Sequence, residues 1–284
     1  MTGIMSLVAF VLLDFACVLV MGSAVDMAQC QSYSQDQEDE AMIHYFFQGQ
    51  RDGVYVEMGA LDGIEKSNTL MLHCLGWNGV LIEGAKSNFA KLEQNVKTTR
   101  GNNMLGVFYG AVCVPPHETT IFLERSTLIN NEEPAAVHAE KRYADKKFHN
   151  EDTISREIVT PCKPLSEYFR GIPVINFFSL DIEGAEMVAL HTVDMEATKI
   201  DILMIEFDMP KPDRLYAMRQ LLFNMGYVEC DPVPKKDGVV RPVISRSAVF
   251  VSRSNTRNYR CPGTNTTKAS ILPVPVIFRH EERT

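Results

Sequence analysis

The sequence predicts an α/β fold, a mostly parallel sheet covered on both faces and finished by a C-terminal antiparallel hairpin. Three observations carry that reading. Short apolar runs of strand length alternate with stretches of helical period from residue 53 to 253. Several of those runs are continuously apolar, which is the pattern of strands buried on both faces. The last two, Tyr227–Val233 and Ser247–Ser252, would pair as a closing hairpin.

Element by element, residues 25–52 form a polar lead-in with one short helix. Ser34-x-x-Gln37 reads as a capping box that opens this helix, which runs to Phe47 and is ended by Gly49. Val54–Met58 is the first strand, followed by a glycine-containing turn and a helix over Ser67–Cys74. Gly79–Glu83 is the second strand. Ser87 then caps a helix that aligns Phe89, Leu92 and Val96 on one face. Leu105–Val114 reads as one strand and Thr119–Leu123 as a short one. Residues 125–160 are charged with few apolar anchors and read as a surface insertion or lid. The strand–helix alternation then resumes with Asn176–Leu180, Ala185–Val193 and Ile200–Phe207. A helix opens at Asp213, turns Leu215, Met218, Leu222 and Met225 inward, and stops at Gly226. Residues 254–284 form an irregular, Pro-punctuated tail.

The chain has 284 residues, 45% of them hydrophobic and 23% charged, enough for one substantial domain with its own core. Its 28 Lys and Arg against 36 Asp and Glu give a net charge of −8. That balance argues against nucleic acid as a partner, because nothing offsets repulsion by a polyanion. Small molecules, sugars, lipids or proteins fit better. Ile4–Val20 is an apolar run interrupted by Ser6 and Asp14. It reads as a signal peptide cleaved after Ala24, as a membrane anchor over residues 4–21, or as a buried helix. Asp14 would cost a spanning helix roughly 2.5–3.5 kcal/mol. Beyond Cys17, the chain carries Cys30, Cys74, Cys113, Cys162, Cys230 and Cys261. An oxidising lumen would let these form one to three disulfides, and buried free thiols are the alternative. Asn265-Thr266-Thr267 is a glycosylation sequon.

In a parallel sheet, ligands bind outside the carboxyl ends of the strands at the topological switch point. The first strand runs into Glu57-Met58-Gly59-Ala60-Leu61-Asp62-Gly63. Glycine permits a sharp turn and close approach of a ligand. The full GxGxxG is absent, which argues against a dinucleotide and its pyrophosphate. Glu83 ends the second strand about 20 positions later, the spacing at which a carboxylate reaches a ribose diol. An acidic turn and a ribose-binding Glu together suit an adenosine ligand without phosphates, and S-adenosylmethionine fits that description. Further on, Phe177-Phe178-Ser179-Leu180-Asp181-Ile182-Glu183-Gly184-Ala185-Glu186 crowds carboxylates at a strand end. Glu206 and Asp208 end the next strand. Such a rim could bind a divalent cation, deprotonate a hydroxyl or hold a sugar.

These motifs, in this order, resemble the FkbM-type methyltransferase family. The resemblance lies in Gly59-Ala60-Leu61-Asp62-Gly63 with Ser67-Asn68-Thr69, in Leu75-Gly76-Trp77-Asn78-Gly79 through Leu81-Ile82-Glu83, and in Phe177 through Glu186. It spans about residues 33–253. It implies a Rossmann-type methyltransferase fold that uses S-adenosylmethionine to methylate a hydroxyl of a small-molecule or glycan acceptor. It also implies that Glu57, Gly59, Asp62, Gly63, Ser67, Asn68, Glu83 and Asp181 bind the cofactor, and that Asp181 and Glu183 act in the transfer. The opening Tyr33–Glu40 is similar to an animal subset that includes the Star-type proteins. Those are secretory-pathway membrane proteins linked to trafficking, so a non-catalytic role beside a membrane-protein partner is the alternative. Where family members often have Pro after the second-strand Glu, this chain has Gly84.

Overall fold

The computed structural model describes residues 30–101, 103–127, 136–138, 153–182, 184–206, 212–230 and 247–262. The apolar run of residues 4–21, the sequon, Glu183 and Asp208 lie outside them. In chain order the elements begin with α1 (Glu38–Tyr45), β1 (Val54–Met58), α2 (Leu70–Cys74), β2 (Asn78–Glu83), α3 (Lys86–Thr99), β3 (Met104–Tyr109) and β4 (Ala111–Val112). They continue with β5 (Thr119–Thr127), β6 (Ala136–His138), β7 (Thr153–Lys163), α4 (Leu165–Tyr168), β8 (Val174–Leu180) and α5 (Glu186–His191). The last are β9 (Lys199–Glu206), α6 (Pro212–Asn224), β10 (Tyr227–Glu229) and β11 (Ser247–Ser252).

The main sheet has seven strands in the order β10-β11-β9-β8-β1-β2-β3. β1 pairs in parallel with β2 on one side and β8 on the other, and β8 with β9. Only β11 runs antiparallel to its neighbours, between β9 and β10. The predicted mostly parallel sheet with a closing antiparallel pair is therefore the observed one. Because the chain builds outward through β2 and β3, then returns to place β8 against β1, the switch point lies between β1 and β8.

Successive strand residues face opposite sides, so each continuous apolar run feeds two cores. Leu81, Phe177 and Ile202 join Phe47, Trp77 and Leu92 on one face. Ile82, Phe178 and Leu203 join Leu165, Leu190 and Leu222 on the other. On α3, Leu92 and Val96 are buried, with Phe89 packed beside them, as its periodicity requires. On α6 it is Met218 and Leu222 that are buried.

Four local expectations need correction. The Ser34 capping box does not form; the helix starts at Glu38 behind Gln37 in the left-handed region at φ 62. Ser34 Oγ is engaged instead by the fully buried Asp39, at 2.7 Å, and Ser32 Oγ donates to the same carboxylate. At the start of α3 the cap position is Ala85, and Ser87 lies inside the helix. The predicted strand Leu105–Val114 is two strands in two different sheets, broken at Gly110. There the backbone passes so close to Tyr168 that a Cβ would sit 2.3 Å from its hydroxyl. Finally, the stretch expected to be a lid is in part regular. β5 and β7 pair antiparallel from Thr119↔Pro161 to Thr127↔Thr153, within a second, four-stranded sheet ordered β4-β7-β5-β6. Thr153, Ile154, Ile158, Val159 and Thr160 give β7 its β-branched character, which the interspersed charges obscure in the sequence.

The six cysteines close three disulfides, Cys30–Cys74, Cys113–Cys162 and Cys230–Cys261. The first ties the lead-in segment to the end of α2, and the second joins the residue after β4 to β7.

Candidate functional site

A cleft opens at the carboxyl ends of β1, β2, β8 and β9, where the fold places the switch point. Its floor is the turn after β1. Gly59, at φ 86, runs directly beneath Asp181: a Cβ at this position would stand 1.8 Å from the Asp181 carbonyl oxygen. No other residue fits that crossing. The Asp181 N–H donates to the Met58 carbonyl, and the Gly59 and Ala60 N–H groups both point at Ile82 O, so the turn is laced to both neighbouring strands.

Glu57 anchors the turn from inside. Its buried carboxylate accepts from Ser67 Oγ at 2.8 Å, Asn68 N–H at 2.6 Å and Thr69 Oγ1 at 2.6 Å. Behind it stands Arg100, a residue that no sequence motif marks. Its guanidinium is 3.7 Å from Glu57, donates to Ser67 Oγ, Thr69 Oγ1 and the Gly63 carbonyl, and reaches the Tyr55 hydroxyl at 2.6 Å. His73 Nε2 lies 2.6 Å from the Arg100 carbonyl and so carries the proton, which leaves Nδ1 to accept from Tyr55. Burial, reinforced by the Arg100 charge, lowers His73 to about 4 and keeps the ring neutral. Burial pushes Glu57 upward against the pull of Arg100 and its hydrogen-bond donors.

Glu83 stands at the end of β2 and lines the cleft while remaining buried. Its two oxygens accept from the Leu61 and Ala85 N–H groups at 2.8 and 2.7 Å. Desolvation dominates these bonds and raises its carboxyl to about 7. On the far side of β1, Asn68 donates through Nδ2 to Ser179 Oγ of β8 at 3.0 Å. Its Oδ1 is buried at the cleft without a hydrogen-bond partner among the described residues. Asp181 and Glu206 complete that side, both half-buried.

Of the residues singled out from the sequence, Glu57, Gly59, Asn68, Glu83 and Asp181 therefore converge on the cleft. Asp62, Gly63 and Ser67 shape the turn from outside its wall. Asp62 Oδ1 accepts from the Ile64 and Glu65 N–H groups. A Cβ on Gly63 would come 2.5 Å from Leu92, so this glycine lets α3 pack against the turn. The lead-in also contributes wall residues that motif reading did not assign, namely Gln35, Asp36 and Glu38. Burial raises Glu38, whose carboxylate accepts from the Asp36 N–H. Among the described residues no three His, Cys, Asp or Glu side chains gather to hold a metal ion.

A glycine turn, a strand-end carboxylate and a cleft at the switch point define the class of α/β proteins that hold an adenosine-type ligand over a parallel sheet. Within that class the chain belongs to the FkbM methyltransferase family, whose domain model matches residues 57–229, and it is an S-adenosylmethionine-dependent methyltransferase. No curated protein sequence matches it. Solved structures to which it is similar include the precorrin-6y C5,15-methyltransferase from Geobacter metallireducens, at 13% identity and a TM-score of 0.38, over 76% of this chain and 84% of that one. Another is Aeropyrum pernix fibrillarin with bound S-adenosyl-L-methionine, at 10% identity and a TM-score of 0.37, over 70% of this chain and 65% of that one.

Proposed function

We propose that the cleft between Glu83 and Asp181 holds S-adenosylmethionine and that the enzyme methylates a hydroxyl group of a small-molecule or glycan acceptor within the secretory pathway. The observation that carries this reading is the pair of acceptors facing the cleft from opposite sides of β1. Glu83, fixed by two backbone N–H groups, is the partner for a ribose diol. The orphaned Asn68 Oδ1 needs a donor, and the ammonium of an amino-acid moiety supplies one. Gly59 leaves the floor free of side chains between them. The cofactor brings an electrophilic methyl group on a sulfonium. This chain's part is to hold the two substrates in line, from which most of the rate would come. Asp181 is the carboxylate suited to orient an acceptor hydroxyl and take up its proton. An acidic wall also disfavours phosphorylated or carboxylated acceptors.

The secretory assignment is supported by the three disulfides, which use every cysteine from Cys30 onward. Such bonds persist in oxidising compartments. Among the described residues no helix is long and apolar enough to cross a membrane, and the segment the sequence offers for anchoring is the apolar run of residues 4–21.

Calorimetric titration with S-adenosylmethionine tests the reading. Micromolar binding that weakens at least about tenfold in Glu83→Ala supports it. A folded protein that gives no heat up to millimolar ligand overturns it and favours a non-catalytic, Star-like trafficking role. If binding holds, methyl transfer to neutral polyols should survive in wild type and be lost in Asp181→Asn.

A further inference from the structure

The wall of the cleft carries six carboxylates, from Asp36, Glu38, Glu57, Glu83, Asp181 and Glu206. Against them stands one cation among the described wall residues, Lys66. It belongs to the turn after β1, directly before Ser67 and Asn68, whose hydrogen bonds to Glu57 fix the position of the chain there. Its backbone sits in the left-handed region at φ 57, a conformation a residue with a full side chain adopts at some cost. Among the described residues its ammonium has no hydrogen-bond or ion-pair partner.

S-adenosylmethionine brings an uneven set of charges to this wall. Its sulfonium and ammonium suit the carboxylates. Its own carboxylate does not, because every other charged group among the described wall residues has the same sign and like charges in a partly desolvated cleft repel. We propose that Lys66 pairs with the carboxylate of the cofactor's amino-acid end and so selects an amino-acid-bearing adenosyl ligand over one that lacks the acid group, a role that presupposes the cofactor reading above. Asn68, two residues on, spans to Ser179 on the β8 side of the cleft, opposite Glu83. The turn thus carries the donor for the carboxylate and the acceptor for the ammonium close together in the chain.

The test is a cycle with two proteins and two ligands, read by calorimetry on the full chain. Wild type and Lys66→Met are each titrated with S-adenosylmethionine and with its decarboxylated analogue, which keeps the sulfonium and the amine. Lys66→Met should weaken binding of the first about tenfold or more. It should leave the second unchanged or tighter, because a repelling cation has been removed. Equal losses for both ligands, or no change for either, overturn the role of Lys66 and leave the cofactor reading standing. Wild type that binds neither ligand overturns both. If Lys66→Met fails to fold, Lys66→Gly, which adopts this backbone without strain, takes its place in the same cycle.

Discussion

Arg100 shows how far a single residue can govern the site without touching the cleft. It is buried, and through Ser67, Thr69 and Gly63 it ties the turn after β1 to Glu57. Truncating one member of a buried ion pair leaves the other uncompensated, at a cost of about 3–5 kcal/mol. Arg100→Met should therefore lower the urea-unfolding free energy by about that amount. The double variant with Glu57→Gln should recover part of the loss, and strict additivity of the two would show that the pair is not coupled. Glu83 makes a second prediction at this scale. Its carboxyl, raised to about 7 by burial, would accept from the ribose diol of the proposed cofactor best when ionised, so cofactor affinity should climb as pH rises through 7. Glu83→Gln should bind more weakly and lose that slope. Glu57, Gly59 and Glu83 were legible because short motifs hold them at fixed spacing. Arg100 was not, since it follows a polar helix end, and its importance comes only from packing that brings residues 55, 57, 67 and 100 together.

Among the elements, legibility followed burial. The parallel strands β1, β2, β8 and β9 announce themselves because both faces are covered and most of their positions are apolar. The β5–β7 ribbon does not, because it leaves Ile121 and Val159, direct partners in register, exposed at 41% and 67%. The lead-in segment is the more consequential case. It lies before the first strand and outside residues 57–229, so nothing in the strand–helix alternation assigns it to the site, yet it supplies Gln35, Asp36 and Glu38 to the cleft. The Cys30–Cys74 disulfide, with a sequence separation of 44, and the buried Asp39 hold it there. Closing a loop of that length stabilises the fold by about 4 kcal/mol on chain-entropy grounds. The double variant Cys30→Ser with Cys74→Ser should lower the unfolding free energy by up to that amount and open the segment before Phe47 to limited proteolysis. Equal protease resistance in both proteins would mean that α1 packing alone secures it.

At the scale of the molecule, the buried titratable groups set a stability profile that neither the composition nor the isoelectric point reveals. Glu83 keeps its proton in the folded state up to about 7 but loses it near 4.5 when unfolded. Between those values the folded protein binds more protons, so this group's contribution falls as pH rises. Glu38 and Glu57, both raised by burial, act in the same direction. His73 acts in the opposite one. Lowered to about 4 from an ordinary 6.5, it stays neutral in the fold while the unfolded chain takes up a proton, so stability falls as pH drops through that window. From about pH 4.5 to 6.5 the slopes of Glu83 and His73 are each about one proton, or 1.4 kcal/mol per pH unit, and of opposite sign. The wild type should accordingly show there only the shallower decline that Glu38 and Glu57 add, His73 offsetting Glu83, and lose stability more steeply between 6.5 and 7, where His73 no longer compensates. Replacing His73 with Gln removes the imidazole's share. Whatever the variant costs in absolute stability through its lost hydrogen bonds to Tyr55 and Arg100, its unfolding free energy should decline steadily from pH 4.5 to 7. Urea titrations at intervals of half a pH unit read the slope directly. A profile that stays as shallow in His73→Gln as in wild type would mean that the buried carboxylates titrate near their ordinary values and that the cleft is wetter than its burial indicates.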